Sequence, residues 1–344
     1  TLDEPVTCLN CHSGARTNYA AGLLVRSVYP DAEGFPITSA GSFVTGHESP
    51  LEERWGGWYV TGHHGAMRHM GNTIGKDLGN NAEFHTEPGA NLPTLEGIIS
   101  TGRYLEAGSD IVALMVLEHQ VPMHNHLTQG SMSVRQQTFR SQRVAESGGG
   151  TFDPHESATL MSLVNNVSGR IVKHMLFVDE HPLTDAVSGD RAFVRQFRAN
   201  RREADDGRSL KDLDMQTRLF RYRCSYMVYA RAFEQMPDLL KEAVYQKLYD
   251  ALTGPESELN AHLGEDERTE IFVAKRATFL ANNITGHNHE MTLWIRALNA
   301  RTNKLENAIE DYANGVIDRD TMIAIAQNED ECLFLGQEQG TSGQ

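Results

Sequence analysis

The sequence has no hydrophobic run of transmembrane length and is poor in positive charge. Its longest apolar run, residues 111–117, is far shorter than the roughly 20 residues that a membrane-spanning helix needs. Lysine and arginine number 31 against 46 acidic residues, so the net charge is −15. Because nucleic acids and anionic membranes attract basic surfaces, this charge argues against both as partners. It suits solubility, or docking to a redox partner protein with a basic surface.

Several common catalytic motifs are also missing. The chain contains neither G-x-x-x-x-G-K-[ST] nor G-x-G-x-x-G, so nucleotide binding has no support. It lacks the G-x-S-x-G elbow of many hydrolases and the H-E-x-x-H of zinc proteases. No internal repeat recurs at a fixed period. What remains is a chain of 344 residues with the composition of an ordinary folded protein.

Cysteine is scarce, but two of the four cysteines form the most specific motif in the chain. Cys8, Cys11 and His12 read C-x-x-C-H, the attachment signature of a c-type haem. Cysteines three positions apart lie about one helical turn apart, so both thiols can add to the two vinyl groups of one porphyrin. His12 then lies close enough to be the proximal iron ligand. We expect its other ring nitrogen to donate to a carbonyl, which would fix the ring and raise its basicity.

Two other uses of a C-x-x-C pair remain open, namely a zinc site and a thioredoxin-like redox pair. A zinc knuckle needs a second close pair, whereas Cys224 and Cys332 are single and far apart. A thioredoxin motif needs a βαβ context, which the N-terminus lacks. The sequence therefore favours one covalent haem c.

Covalent haem attachment takes place outside the cytoplasm, so we expect a periplasmic or otherwise exported protein. The chain begins at Thr1 without methionine, which is compatible with a removed signal peptide or a trimmed chain. In an oxidising compartment Cys224 and Cys332 could form a disulfide. The alternative is two unrelated buried thiols.

A second chemically rich stretch, residues 55–72, combines three histidines, two methionines and glycines. Glycine lets the backbone approach a flat ligand closely, and imidazole or thioether ligands are usual on the distal side of an electron-transfer haem. His64, placed between glycines 62 and 65, is the predicted distal ligand. The alternatives are Met70, His69, His119 and Met123.

The third such stretch, residues 118–126, follows a strongly apolar helix. His119 lies four residues after Met115 and therefore on the same helical face. His119 and His124 are candidates for an alternative axial ligand, for a base near the haem, or for ligands of another metal. The competing interpretation is that this face belongs to the core.

The pattern of the chain predicts a mainly α fold. We expect a helical bundle preceded by an N-terminal loop-rich haem-binding segment with a few short strands, at residues 42–45 and 58–61. The predicted regions are 1–147 for haem binding, 151–335 for the bundle, with the possibility of one shared core, and 336–344 as a disordered tail. The predicted helices are residues 19–29, a run from 111 that Pro122 bends or breaks, a run opening at 153–156, and residues 190–201, 212–235, 238–253, 265–281, 289–313 and 318–327.

Four motifs in order carry a family resemblance. They are Cys8 to His12 and residues 55–62, 68–72 and 113–120. With them the chain resembles a group of largely uncharacterised bacterial single-haem "cytochrome c domain-containing" proteins. The resemblance implies an exported, mostly helical haem protein and brings no known substrate. The chain far exceeds a small cytochrome c, and it lacks the second C-x-x-C-H of the dihaem peroxidases.

Electron transfer by one haem is the leading functional hypothesis. The rival is a haem enzyme, such as a peroxidase or a small-molecule oxidase, because pure electron carriers rarely need so long a chain. Arg68 and His69 would then be candidate acid–base or charge-stabilising groups. A third possibility is a haem-bearing subunit of a larger redox assembly.

Overall fold

Helices form most of the regular structure. The computed structural model describes residues 6–17, 19–79, 82–204 and 206–272, which fall within a compact unit, Thr1–Thr278. Within this part of the chain the fold is mainly α, as predicted, and its two sheets have two strands each. The predicted helices 289–313 and 318–327, the predicted tail and Cys332 lie outside the described residues.

The longest element is helix α2, Ile111–Ser147, and it begins where the sequence predicts. The Asp110 side chain accepts a hydrogen bond from the Ala113 N–H at 2.9 Å and so caps the helix. Pro122 was expected to bend or break this helix, and it does not break it, because α2 continues through Pro122 as one element of 37 residues. Proline removes one backbone donor and its ring crowds the preceding turn, and the buried apolar residues on either side of it offset that cost. The helix ends at Gly148, at the predicted linker.

Two further helices pack with α2. Helix α3, Ala158–Met175, begins at a Ser157 cap, a few residues after the predicted start, because residues 154–156 form a separate 3-10 turn. Helix α6, Asp238–Thr253, has the predicted bounds. Helix α3 packs against both α2 and α6. A side chain at Gly130 of α2 would come within 2.7 Å of Val167, so glycine permits this close approach.

The N-terminal segment contains little regular structure. Helix α1, Val6–His12, is followed by strand β1, Val25–Ser27, which pairs antiparallel with β2, Phe43–Thr45. The prediction of β2 is therefore confirmed. The predicted helix over residues 19–29 is wrong, because these residues include β1. The predicted strand over 58–61 is also wrong, since only an isolated bridge from Thr61 to Asp110 forms there.

The remaining strands and α-helices are short. A tiny sheet pairs β3, Lys76–Asp77, with β4, Ala82–Glu83. Helix α4, Arg191–Arg198, confirms most of the predicted helix 190–201. Helix α5, Arg231–Glu234, is all the α-helix that forms within the predicted helix 212–235.

Local side-chain hydrogen bonds explain the failure of that prediction. The Asp214 carboxylate accepts hydrogen bonds from the backbone N–H groups of Gln216 and Thr217, at 2.8 and 2.7 Å. Met215 adopts a positive φ of 65°. An aspartate that binds the backbone ahead of it stabilises a turn rather than a helix. The aromatic side chains of this segment, which recur at helical spacing in the sequence, pack in the core from an irregular backbone.

One apolar core joins the two predicted regions. It includes Trp55 and Val60 from the N-terminal region, Leu127 of α2, Ile171 of α3 and Leu248 of α6. Among the described residues, no helix is long and apolar enough to cross a membrane.

Candidate functional site

The C-x-x-C-H motif lies on the short helix α1 at the protein surface. Cys8 is exposed and Cys11 is half-buried, and neither thiol is in a disulfide. His12 ends the helix with its side chain exposed. Both thiols and the imidazole are therefore accessible to a bulky group, as covalent attachment requires.

His12 has a defined ring orientation despite its exposure. Its Nδ1 lies 3.0 Å from the carbonyl oxygen of Gly22. Because a carbonyl can only accept, Nδ1 carries the proton and Nε2 keeps its lone pair. The backbone N–H of Gly22 donates in return to the His12 carbonyl at 2.9 Å. The predicted hydrogen bond from His12 to a carbonyl is thus confirmed, and the nitrogen that would bind iron has its lone pair available.

Asn125 of α2 holds the segment that carries this carbonyl. Its side-chain oxygen accepts from the Leu23 N–H at 3.1 Å, and its amide nitrogen donates to the Leu23 carbonyl at 2.6 Å. A β-carbon at Gly22 would lie 2.5 Å from the Asn125 side-chain oxygen, so the contact requires glycine. The long helix thereby fixes the backbone that orients His12. This arrangement fits a covalently held haem.

His64, the predicted distal ligand, is deeply buried and uses both of its ring nitrogens. Its Nδ1 donates to the Met67 carbonyl at 2.8 Å, and its Nε2 accepts from the Asn91 N–H at 3.0 Å. Burial lowers its pKa. To bind iron, Nε2 would have to release Asn91. The role of His64 as a ligand stays a prediction, with that cost attached.

His69 and Met70, two alternative distal ligands, and Arg68 lie near His64 in different surroundings. The His69 ring lies edge-on to the His64 ring with centroids 4.7 Å apart, and its buried Nδ1 has no hydrogen-bond partner among the described residues. Burial lowers the pKa of His69 to about 3. The Met70 sulfur accepts a hydrogen bond from Ser27 at 3.4 Å. Arg68 forms a two-point ion pair with Glu87, at 2.8 and 2.7 Å.

His119 and Met123 of α2 are both fully buried. Met123 belongs to the core, but His119 belongs to a second centre that the sequence identified only in part. His47, which follows β2, and His174, near the end of α3, converge on it, and one ring nitrogen from each of the three lies within 4.8 Å of the others. We call this group the three-histidine centre.

Neither His47 nor His174 was predicted as a site residue, although the sequence contains a signal for His174. His174 lies three residues after Ile171 and seven after Val167, on the buried face of α3. A histidine on an otherwise apolar helical face is a departure from the amphipathic pattern. His47 follows Gly46 in a loop, where no periodicity marks it.

A buried ion pair lies beside the three-histidine centre. The Glu118 carboxylate accepts from Arg54 Nη1 at 3.0 Å and from the Thr45 hydroxyl at 2.6 Å. Arg54 also donates to the His47 carbonyl at 3.0 Å. Burial raises the pKa of Glu118 to about 7, although Arg54 and Thr45 act to lower it.

Comparison with known proteins adds no assignment: no protein-family model, curated protein or solved structure matches the chain. The functional argument therefore depends on the residues themselves.

Proposed function

We propose that the protein is a c-type cytochrome with one haem, attached through Cys8 and Cys11 and ligated by His12. The observation that carries the proposal is the hydrogen bond from His12 Nδ1 to the Gly22 carbonyl, which leaves the Nε2 lone pair available. Thiol redox chemistry at the two cysteines would not require that orientation. Bound haem would supply one-electron chemistry at its iron.

The chain's own contribution is to hold and orient the group. The two thiols would anchor the porphyrin to α1, and the hydrogen bond to Gly22 would set the plane of the His12 ring. Asn125 would keep that carbonyl in place through its paired hydrogen bonds to Leu23. The proposal includes the finer fold prediction of a helical bundle, made by α2, α3 and α6, joined at Asn125 to a haem-binding N-terminal segment.

We propose electron transfer as the role of this haem, outside the cytoplasm in the periplasm or at the cell surface. The net charge of −15 supports a redox partner with a basic surface. For the competing haem enzyme, Arg68 and His69 were the candidate acid–base or charge-stabilising groups. Arg68 is held by Glu87, whose pKa is lowered by that hydrogen-bonded pairing. Such an arginine is already neutralised, so its geometry favours a structural role over catalysis.

Covalent attachment is tested with the full chain expressed together with a haem-attachment system. The pyridine haemochrome spectrum should be of the c type, and the haem should stay with the protein in acid–acetone. The double variant Cys8→Ala/Cys11→Ala should lose covalent haem. Asn10→Ala, a change at an exposed position inside the same motif, should keep it. Extraction of the haem from the unmodified protein would reject the proposal.

The spin state of the iron separates transfer from catalysis. A six-coordinate, low-spin iron with two protein ligands would support electron transfer. A high-spin iron that binds cyanide readily would instead support the haem-enzyme alternative.

A further inference from the structure

Three chain segments that are distant in sequence bring one imidazole each to the three-histidine centre. His47 stacks on His174 with ring centroids 4.2 Å apart, and His119 lies 5.2 Å from each of them. Nδ1 of His47 and Nδ1 of His119 are 3.0 Å apart, at hydrogen-bond distance. Two ligands of one tetrahedral zinc ion with bonds of about 2.1 Å lie about 3.4 Å apart. This pair is therefore slightly closer than two zinc ligands, and one ring nitrogen from each of the three histidines lies within 4.8 Å of the others.

The hydrogen bonds leave lone pairs available at this centre. His174 Nε2 lies 3.3 Å from the His119 carbonyl, to which it can only donate, so His174 Nδ1 keeps its lone pair. His119 Nε2 lies 2.6 Å from the Ser225 hydroxyl. When that nitrogen donates to Ser225, Nδ1 of His119 has a lone pair and accepts the hydrogen bond from His47 Nδ1, whose proton a bound ion would displace. An imidazole that donates through one nitrogen and binds through the other is the usual state of a metal-ligating histidine.

Burial limits the water that would compete for a bound ion. His47 and His119 are almost completely excluded from solvent, and His174 is half-buried. Metal binding requires the neutral form of each imidazole, which presents its lone pair to the ion.

The chemistry of the ligand set selects the class of ion. No thiolate or carboxylate belongs to the group of ligand atoms. Imidazole ligands suit zinc, copper, iron and nickel, whereas calcium and magnesium prefer oxygen. The carboxylate of Glu118, on the residue before His119, supplies a nearby acidic group.

We propose that His47, His119 and His174 bind one first-row transition-metal ion, such as zinc, at a site separate from the haem-attachment motif. Such an ion would join the loop after β2 to helices α2 and α3. Three protein ligands leave a fourth position for water or another ligand. The inference does not depend on the haem proposal, because none of its ligands belongs to α1.

The test uses the full chain with its haem attached. The protein is stripped with a chelator, incubated with zinc chloride and desalted, and its zinc is counted by mass spectrometry. One zinc per chain is expected for the unmodified protein and for His155→Gln, a change at an exposed histidine. His174→Gln should lose stoichiometric zinc. Ser225→Ala should keep the three ligands and bind zinc roughly tenfold or more weakly.

X-ray absorption at the zinc edge of the unmodified protein keeps the test decisive if His174→Gln does not fold. The spectrum should show about three imidazole nitrogens at about 2.0–2.1 Å. Zinc bound without imidazole, no zinc retained by the unmodified protein, or equal zinc in folded His174→Gln would each overturn the proposal. Its failure would leave the haem spectrum unchanged and so would not count against the haem assignment.

Discussion

Arg54 Nη1 lies 3.0 Å from Glu118 Oε2, with 5% and 0% of the two side chains exposed to solvent. This pair joins the loop after β2 to helix α2, at the point where His47 and His119 meet. Buried ion pairs are weak evidence for net stability, because the desolvation of both charges opposes their attraction. Removing Arg54, however, leaves the Glu118 carboxyl buried without its partner, so that it either stays charged at a desolvation cost or takes up a proton.

We therefore expect Arg54→Met to destabilise the fold by about 3–5 kcal/mol. The measurement is urea unfolding followed by circular dichroism. The double variant Arg54→Met/Glu118→Leu should recover much of that loss, because it removes both charges. A double variant no more stable than Arg54→Met alone would show that the hydrogen bonds from Arg54 to the His47 and Ser49 carbonyls matter more than its charge.

A second prediction concerns Gly22. An alanine there would place its β-carbon 2.5 Å from the Asn125 side-chain oxygen. Asn125 would have to move and lose its two hydrogen bonds to Leu23, at a cost of about 1–3 kcal/mol. The carbonyl that accepts from His12 would shift with it, so His12 would become less basic and the haem reduction potential should rise.

Gly102→Ala is the matched control for this change. A β-carbon at Gly102 meets nothing within 4 Å, so both the unfolding free energy and the reduction potential should stay at the values of the unmodified protein. Equal potentials for Gly22→Ala and the unmodified protein would show that the Gly22 carbonyl does not tune the haem.

The elements that could be predicted from the sequence are those with strong local signals. Helix α6 has the predicted bounds, and α2 starts at its predicted first residue. The segment 212–235 has helical spacing too, but the carboxylate of Asp214 binds the backbone of the following residues and turns the chain. Strand β1 spans only three residues within the apolar segment 19–29, too few for a strand period to stand out against the helix that this segment predicts.

The two candidate sites also differ in how far a local sequence signal could predict them. His12 and its hydrogen bond to a carbonyl follow from a local motif, and the structure contains that hydrogen bond. The three-histidine centre depends on tertiary packing of a loop against two helices. Of its members, only His119 stood out in the sequence, because it follows an unusually apolar run.

The third prediction concerns His64. Its two ring hydrogen bonds, to Met67 and Asn91, are buried, so we expect His64→Ala to destabilise the fold by about 1–3 kcal/mol. The optical and EPR spectra of the iron in this variant test the predicted role of His64 as distal ligand, because unchanged spectra would mean that Nε2 keeps its hydrogen bond with Asn91 instead. His63→Ala, at the exposed neighbouring position, should change neither property. A change from low to high spin in His64→Ala would instead establish His64 as the distal ligand that the sequence predicts.

The last prediction is a loss of stability in acid caused in part by His69. Burial lowers the pKa of folded His69 to about 3, whereas an unfolded histidine titrates near about 6.5. Between these two values the unfolded chain binds more protons than the folded chain, so the free energy of unfolding falls as the pH falls from about 6.5 towards about 3. One such group contributes at most about 1.4 kcal/mol per pH unit. His69→Gln, which cannot take up this proton, should show a shallower fall in urea-unfolding experiments across that range. His155→Gln, at an exposed position, should keep the slope of the unmodified protein. An unchanged slope in His69→Gln would show that His69 is not held neutral in the folded state.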